Sequence, residues 1–442
     1  MVAYRATSLK NKKEVVPVIF AILLLAFSSW ISYPRVSAVA GGVSSSKSAS
    51  ADLIATAAPT SLGLSASNVN LVSSQISSAV SAAFSERAQP PWQDSFRDSS
   101  LSDNAIRVVG NITLGNSSNP EYEVYDPANK EIYVTDYGID SVTAINTTTN
   151  KIVTTVKTGS YPATPLYDPV NQYVYVCNAA SGTVSIINGK TNKVIETLTT
   201  GYSTSGIEYN PLNKDVYVLV YTASIVDVLS SGKTVKILAS ISVPEGDAGL
   251  QFDPANGDMY FSGFGTDNVT VISSKTNKIL TVIPVGLNPE TMLYDPSSKS
   301  VYVANEFGST ISVISSETNK VITTLLTGFY QTYMLFDPAN DEIYVACQDN
   351  NSISIINARS NTVMRGVAAG HYPYALAYDS INKDIYITHF RGKTVSGLSG
   401  ATNKIIVTLD IGGFPIDPLY VPSSREVYVS CYFANSVVVI SS

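Results

Sequence analysis

Three cysteines, two histidines and two tryptophans in 442 residues leave little material for thiol, metal or imidazole chemistry. Most enzyme classes are therefore short of parts. Charge is scarce as well, at 14% Asp, Glu, Lys and Arg against ~25% in an average soluble protein. The balance is acidic, with 28 Lys and Arg against 35 Asp and Glu, so no basic face exists to neutralise a phosphate backbone and nucleic acid is excluded as a partner. Neither a Cys-x-x-Cys-His haem site nor a Gly-rich phosphate loop is present. What remains is 45% apolar residues, 27 Tyr and 27 Gly, the mix of a folded, β-rich chain with many turns. Length alone, at roughly 150 residues per domain, suggests about three domains, a prior that repeats override.

The amino terminus reads as an export signal or an anchor. Arg5, Lys10, Lys12 and Lys13 precede an apolar run from Val15 to about Tyr33, and Ala38 and Ala40 satisfy the small-x-small rule for cleavage after Ala40. An uncleaved membrane anchor is the competing reading, because ~19 residues at 1.5 Å each nearly span a ~30 Å hydrocarbon core. Both place the chain beyond residue 40 outside the cytoplasm, secreted or held at the cell surface. Residues 41–105 form a Ser- and Ala-rich linker. Within it Val69, Val72, Ile76, Val80, Ala83 and Phe84 recur at helical spacing, predicting an amphipathic helix over about 70–87 that serves as a packed strut or docks a partner.

From residue 106 to 442 the chain repeats itself. Asp126, Asp168, Asn210, Asp253, Asp295, Asp337 and Asp379 open a turn, usually Asp-Pro, at intervals of 42 or 43 residues, with a degenerate corner at Val421-Pro422. The Tyr of an apolar-Tyr-apolar strand keeps the same register at Tyr133, Tyr175, Tyr217, Tyr260, Tyr302, Tyr344, Tyr386 and Tyr428. So does the Asn of a Thr-Asn-Lys turn at Asn150, Asn192, Asn277, Asn319, Asn361 and Asn403, with Val235 filling the gap. Each unit holds four short strands; in the fifth they are 291–294, 300–304, 310–315 and 320–326. Proline fixes φ at one turn and Asn tolerates a left-handed backbone at the other, so these columns are scaffold. A lone small sheet exposes both faces, and radial stacking buries them. The fold class expected is all-β: an eight-bladed β-propeller of four-stranded antiparallel blades. The eighth unit lacks a fourth strand, and Ile106 to Gly115 matches one, so this N-terminal strand is expected to complete the last blade and close the ring.

Val301-Tyr302-Val303-Ala304-Asn305, followed by Ser309 to Ile314 and Thr318 to Ile322, resembles the YVTN β-propeller repeat of archaeal and bacterial surface-layer and secreted proteins. The resemblance covers 106–442. It implies a cell-surface scaffold or adhesion role, often without catalysis. Eight units depart from the seven common in propellers, so no member's surface details carry over.

Alternating strands put the loops joining strands four to one and two to three on one rim, and the monotonous Asp-Pro and Thr-Asn-Lys turns on the other. The variable rim is the candidate binding face. It carries Tyr161, Tyr202, Phe329, Tyr330, Tyr372 and Phe414 from one loop set, and Tyr137, Tyr221, Phe264, Phe307, Phe390, Tyr432 and Phe433 from the other, with His371, His389 and Arg391 among them. Flat rings with a polar handle suit a glycan or a protein partner; the competing reading is that they cap the core between blades. Cys347, His389 and Cys431 share one repeat position, but ligands must lie ~2.0–2.3 Å from a zinc ion and equivalent positions of separate blades stand too far apart. The same spacing forbids a Cys347 to Cys431 disulfide, leaving three free thiols with Cys177 and no cofactor expected. Glu123 and Glu208, acids of first strands near the axis, give thin support to the alternative function, a lactonase-like hydrolase or a quinone- or metal-dependent oxidoreductase acting in the central channel. Sequons at Asn111, Asn116, Asn146, Asn268 and Asn350 are candidate glycosylation sites.

Overall fold

The second strands of the blades are buried on both faces. Ser300–Asn305 is buried at every position, so each small sheet requires a neighbour on either side. The computed structural model describes residues 106–442 apart from 202, 221–222 and 245–248. The segment 1–40, the linker 41–105 with its helix over 70–87, and Tyr202 and Tyr221 lie outside the described residues.

The described chain forms eight four-stranded antiparallel sheets, seven of them built from four consecutive strands. In the eighth, Arg107–Thr113 adds to Ser436–Ser441, with Arg107 opposite Ser441 and Thr113 opposite Ser436. The ring is thereby closed by the N-terminal strand, as the sequence predicts. One apolar cluster fills each interface between blades; that between blades 5 and 6 joins Tyr302, Ile311 and Val313 to Met334, Ile343 and Val345. The closing interface joins Ile112, Val437 and Val439 of blade 8 to Ile132, Val134 and Ile145 of blade 1.

The three repeat columns act as one device. Each Asp of the corner is buried and its Oδ1 accepts the backbone N–H two residues on, as in Asp295 with Ser297 at 2.8 Å and Asp337 with Ala339 at 2.8 Å. Each Asn of the second turn lies in the left-handed region, with φ of 51° at Asn319 and 53° at Asn361. The buried tyrosine of one blade donates its hydroxyl to the turn Asn of the next: Tyr217 to Asn277 at 3.2 Å, Tyr344 to Asn403 at 2.5 Å, and likewise Tyr302 to Asn361. Tyr428 of blade 8 bonds Asn150 of blade 1 at 2.6 Å, so the same link spans the closure. Where Val235 replaces the Asn, Tyr175 accepts from Asn171 at 2.9 Å instead.

The innermost strands are longer than the sequence suggests. That of blade 5 is Pro289–Asp295, and a bulge between Pro289 and Met292 interrupts its pairing. Blades 1, 2, 7 and 8 carry the same irregularity. A bulge leaves residues unpaired and re-aims side chains, here at the end of the strand nearest the variable rim.

Candidate functional site

The variable rim is held rigidly from below. In blade 1 the loop after Asp136 is a single helical turn, Tyr137–Ile139, ended by a left-handed Asp140. Asp140 Oδ1 accepts from the backbone N–H of Tyr161 at 3.0 Å, fixing the neighbouring loop. Tyr161, Tyr330 and Tyr372 occupy one repeat position and all have positive φ, 56°, 60° and 67°. Asn119 and Asn288 hold that position in blades 1 and 5, with φ of 47° and 50°. Asn suits this backbone through its short polar side chain, whereas a tyrosine there costs ~1–2 kcal/mol. Turn chemistry alone does not account for three tyrosines.

The rings form a continuous arc. Tyr161 stacks on Tyr137 at 4.5 Å, and Tyr432 lies 6.5 Å from Tyr137. The arc continues through Phe433 (4.8 Å), Phe414 (4.9 Å), Phe390 (5.2 Å) and Tyr374 (5.7 Å). A second group across the ring joins Phe264, Phe307, Tyr330 and Phe329 at 5.8–6.4 Å. Tyr161, Phe264, Phe307 and Phe329 are exposed, as is His371, while Tyr137, Tyr330, Phe390, Arg391, Phe414 and Tyr432 are half-buried. Tyr372 is 9% exposed and lies under Arg391, whose guanidinium carbon stands 4.1 Å from the ring centre.

His389 does not reach this surface. It is fully buried, and its Nε2 meets Ser396 Oγ at 3.0 Å. Burial without a counter-charge pushes its pKa down to about 4, so the ring is neutral. It is the last residue of strand two, a position held by Asp136, Asn178, Asn305, Cys347 and Cys431 in other blades. Each polar member ties to a hydroxyl of strand three: Asn178 to Ser185 at 2.9 Å, Asn305 to Ser312 at 3.0 Å, Asp136 to Thr143 at 2.6 Å and Cys347 to Ser354 at 3.4 Å. The shared position of Cys and His is thus a blade-stitching site. All three cysteines are free and buried, and burial pushes the Cys177 thiol up to about 12.

The bulged inner strands bring forward residues that sequence reasoning does not single out. Glu121, Tyr122, Glu290, Tyr333, Tyr374 and Asp417 lie near the rim-side start of the innermost strands of blades 1, 5, 6, 7 and 8. The Tyr122 and Tyr374 hydroxyls, from blades 1 and 7, interact directly, and Glu121 and Asp417 act on both rings. The acids among them, Glu121, Glu290 and Asp417, are half-buried. Burial raises Glu121 to about 8 and Asp417 to about 7. Glu290 rises to about 8 through burial and then through Glu306, with which it shares a hydrogen bond. Glu208, on the innermost strand of blade 3, is raised to about 7 by burial. Glu123, by contrast, is buried between blades 8 and 1 at 7% exposure, its N–H donating to Asp417 Oδ2 at 3.2 Å and its carboxyl meeting Ser430 of blade 8. Among the described residues no three His, Cys, Asp or Glu side chains form a metal-holding group.

Of the sequon residues, Asn111, Asn116 and Asn350 are exposed, whereas Asn146 and Asn268 are half-buried. Asn146 Oδ1 is occupied by the N–H groups of Thr148 and Thr149, each at 3.0 Å.

No family model and no curated protein matches the chain. Among solved structures it is similar to hydrazine synthase of Kuenenia stuttgartiensis, at 19% identity and a TM-score of 0.53 over 76% of this chain and 99% of that one. It is also similar to the dihydro-heme d1 dehydrogenase NirN in complex with DHE, at 12% identity and a TM-score of 0.59 over 68% of this chain and 72% of that one. A third likeness is to a catalytically inactive virginiamycin B lyase from Staphylococcus aureus with quinupristin, at 12% identity and a TM-score of 0.52 over 76% of this chain and all of the other. At such identities the likeness is one of fold: this chain is an eight-bladed β-propeller, with no family assigned.

Proposed function

We propose that this chain is an extracellular, non-catalytic propeller, a cell-surface or adhesion module that presents its aromatic rim to a glycan or a protein. The observation that carries this reading is the placement of Tyr161, Tyr330 and Tyr372 in left-handed backbone where two other blades use Asn. Residues kept in costly conformations on a rigid scaffold are a mark of functional surfaces. Rings in a continuous half-exposed arc supply area with little conformational entropy to lose. The resemblance of the 42-residue unit to the YVTN repeat of surface-layer and secreted proteins, and the basic-then-apolar start of the sequence, support an extracellular location.

A glycan array and surface cross-linking on intact cells, each run with the wild type and a Phe390→Ala, Phe414→Ala double variant, test the reading. Loss of binding by about tenfold or more in the variant is expected for central aromatic anchors. Equal signal from both proteins removes the rim as the binding face.

One observation favours a second reading, that of a secreted hydrolase or oxidoreductase working in the channel. Glu290 and Glu306 share a hydrogen bond beside Tyr330, and a carboxyl with a pKa of about 8 is poised for proton transfer near neutral pH. Elemental analysis of the purified protein separates the two: stoichiometric metal supports the channel enzyme against the binding module.

A further inference from the structure

Four tyrosines lie within electrostatic reach of one carboxyl group on the variable-rim side. Glu121 lies on the innermost strand of blade 1, next to Pro120. It acts electrostatically on Tyr122 and Tyr137 of its own blade, Tyr374 of blade 7 and Tyr432 of blade 8. Tyr161 extends this group by stacking on Tyr137 at 4.5 Å. Among the described residues no lysine or arginine acts on the carboxyl, and burial raises its pKa. The other titratable groups around these rings, Asp417 and Glu290, are acids too.

Elsewhere on the same rim the chain covers comparable rings with cations of its own. Arg391 stands 4.1 Å over Tyr372, and Lys393 Nζ lies 5.5 Å from the centre of Phe414. Ring faces carry negative charge and attract cations, most of all those that give up water easily. A bare metal ion finds too few ligating oxygens here. An alkylated ammonium needs none, because its methyl or methylene shell packs on the rings while its charge meets the carboxylate.

We propose that the mouth sector formed by Tyr137, Tyr161, Tyr432 and Glu121 binds the organic ammonium group of a ligand. This inference rests on the rim being a binding face and names the chemistry one sector of it accepts. A cation beside Glu121 favours its ionised form. Binding below pH ~8 therefore expels a proton, and affinity rises with pH until Glu121 is ionised in the free protein.

Calorimetric titration of the full chain with tetramethylammonium, at pH 6.5 and pH 9, tests it, with tert-butanol as an uncharged analogue of similar shape. Expected are saturable binding of the cation, about tenfold tighter at pH 9, and proton release at pH 6.5 that scales with the ionisation heat of the buffer. Glu121→Gln removes the pH dependence and the proton release, and Tyr137→Leu, which keeps an apolar side chain at the site, weakens binding at both pH values. No binding at either pH, equal binding of tert-butanol, or an unchanged pH profile in Glu121→Gln overturns the proposal. Ammonium binding that fails while glycan or protein capture still depends on Phe390 and Phe414 sinks this inference alone. Capture indifferent to those two rings sinks the wider reading.

Discussion

The two rims of this propeller share one backbone plan and use it oppositely. On the Asp-Pro rim nearly every blade repeats the same Asp, Tyr and Asn, each buried or bonded to its neighbour. On the opposite rim the equivalent loops differ from blade to blade and expose rings such as Phe307 and Phe329 at 43% and 38%. The difference teaches that repetition follows hydrogen-bond necessity. Seven of the eight buried tyrosines have a turn in the next blade to meet, and six of these turns supply the Asn. The variable loops owe the fold only a compact reversal, which leaves their outer side chains available for recognition.

Removing one ring from each rim should have very unequal consequences. Tyr302→Ala empties a fully buried site between blades 5 and 6 and frees Asn361 and the Ala358 carbonyl, at an expected cost of about 3–5 kcal/mol in urea unfolding. Phe329→Ala on the variable rim is expected to cost under about 1 kcal/mol. Similar losses in the two variants would erase the distinction.

An exchange of turn residues sharpens it at intermediate size. Asn319→Tyr puts a ring into left-handed backbone and removes the Tyr260 hydroxyl's acceptor, costing about 2–3 kcal/mol. Tyr161→Asn relieves the same kind of backbone and gives up the stacking on Tyr137, so thermal stability stays within about 1 kcal/mol of wild type while rim binding falls. Intact binding by Tyr161→Asn would mean that its strain has no functional counterpart.

The smallest effect concerns pH. Asp136 is buried, and burial raises its pKa to about 7, above the ~4 of an unfolded aspartate. The folded state therefore holds this proton longer, and the stability it confers is present below pH ~4 and lost as pH climbs through about 7. Asp136→Asn, which installs the residue found at this position in blades 2 and 5, is expected to raise the melting temperature more at pH 9 than at pH 5. An equal rise at both pH values would show that ionisation of Asp136 plays no part. His389 slopes the other way: its pKa of about 4 lies below the ~6.5 of a free imidazole, so its contribution fades as pH falls across that interval.

Blade count, strand order and the closing strand were legible in the sequence, because each depends on a period that three residue types keep independently. The bond between the Tyr and Asn columns was not, since Tyr302 and Asn361 are 59 residues apart and only stacking of successive blades brings them together. Glu121 and Tyr374 are not legible in the sequence because the bulges break the in-out alternation of the innermost strands. His389, expected at the rim, differs from it by a single position: as the last strand residue it is buried, whereas Phe390 just beyond it joins the ring arc.

The amino-acid order by itself determined that the chain forms eight like sheets that bury their faces only against one another, since strand pattern and turn chemistry are local and recur every 42 or 43 residues. Which side chains meet at the mouth of the channel was decided by the closed ring alone. Glu121, Tyr374 and Tyr432 belong to blades 1, 7 and 8, and no local rule connects them until curvature carries the last blades round to the first.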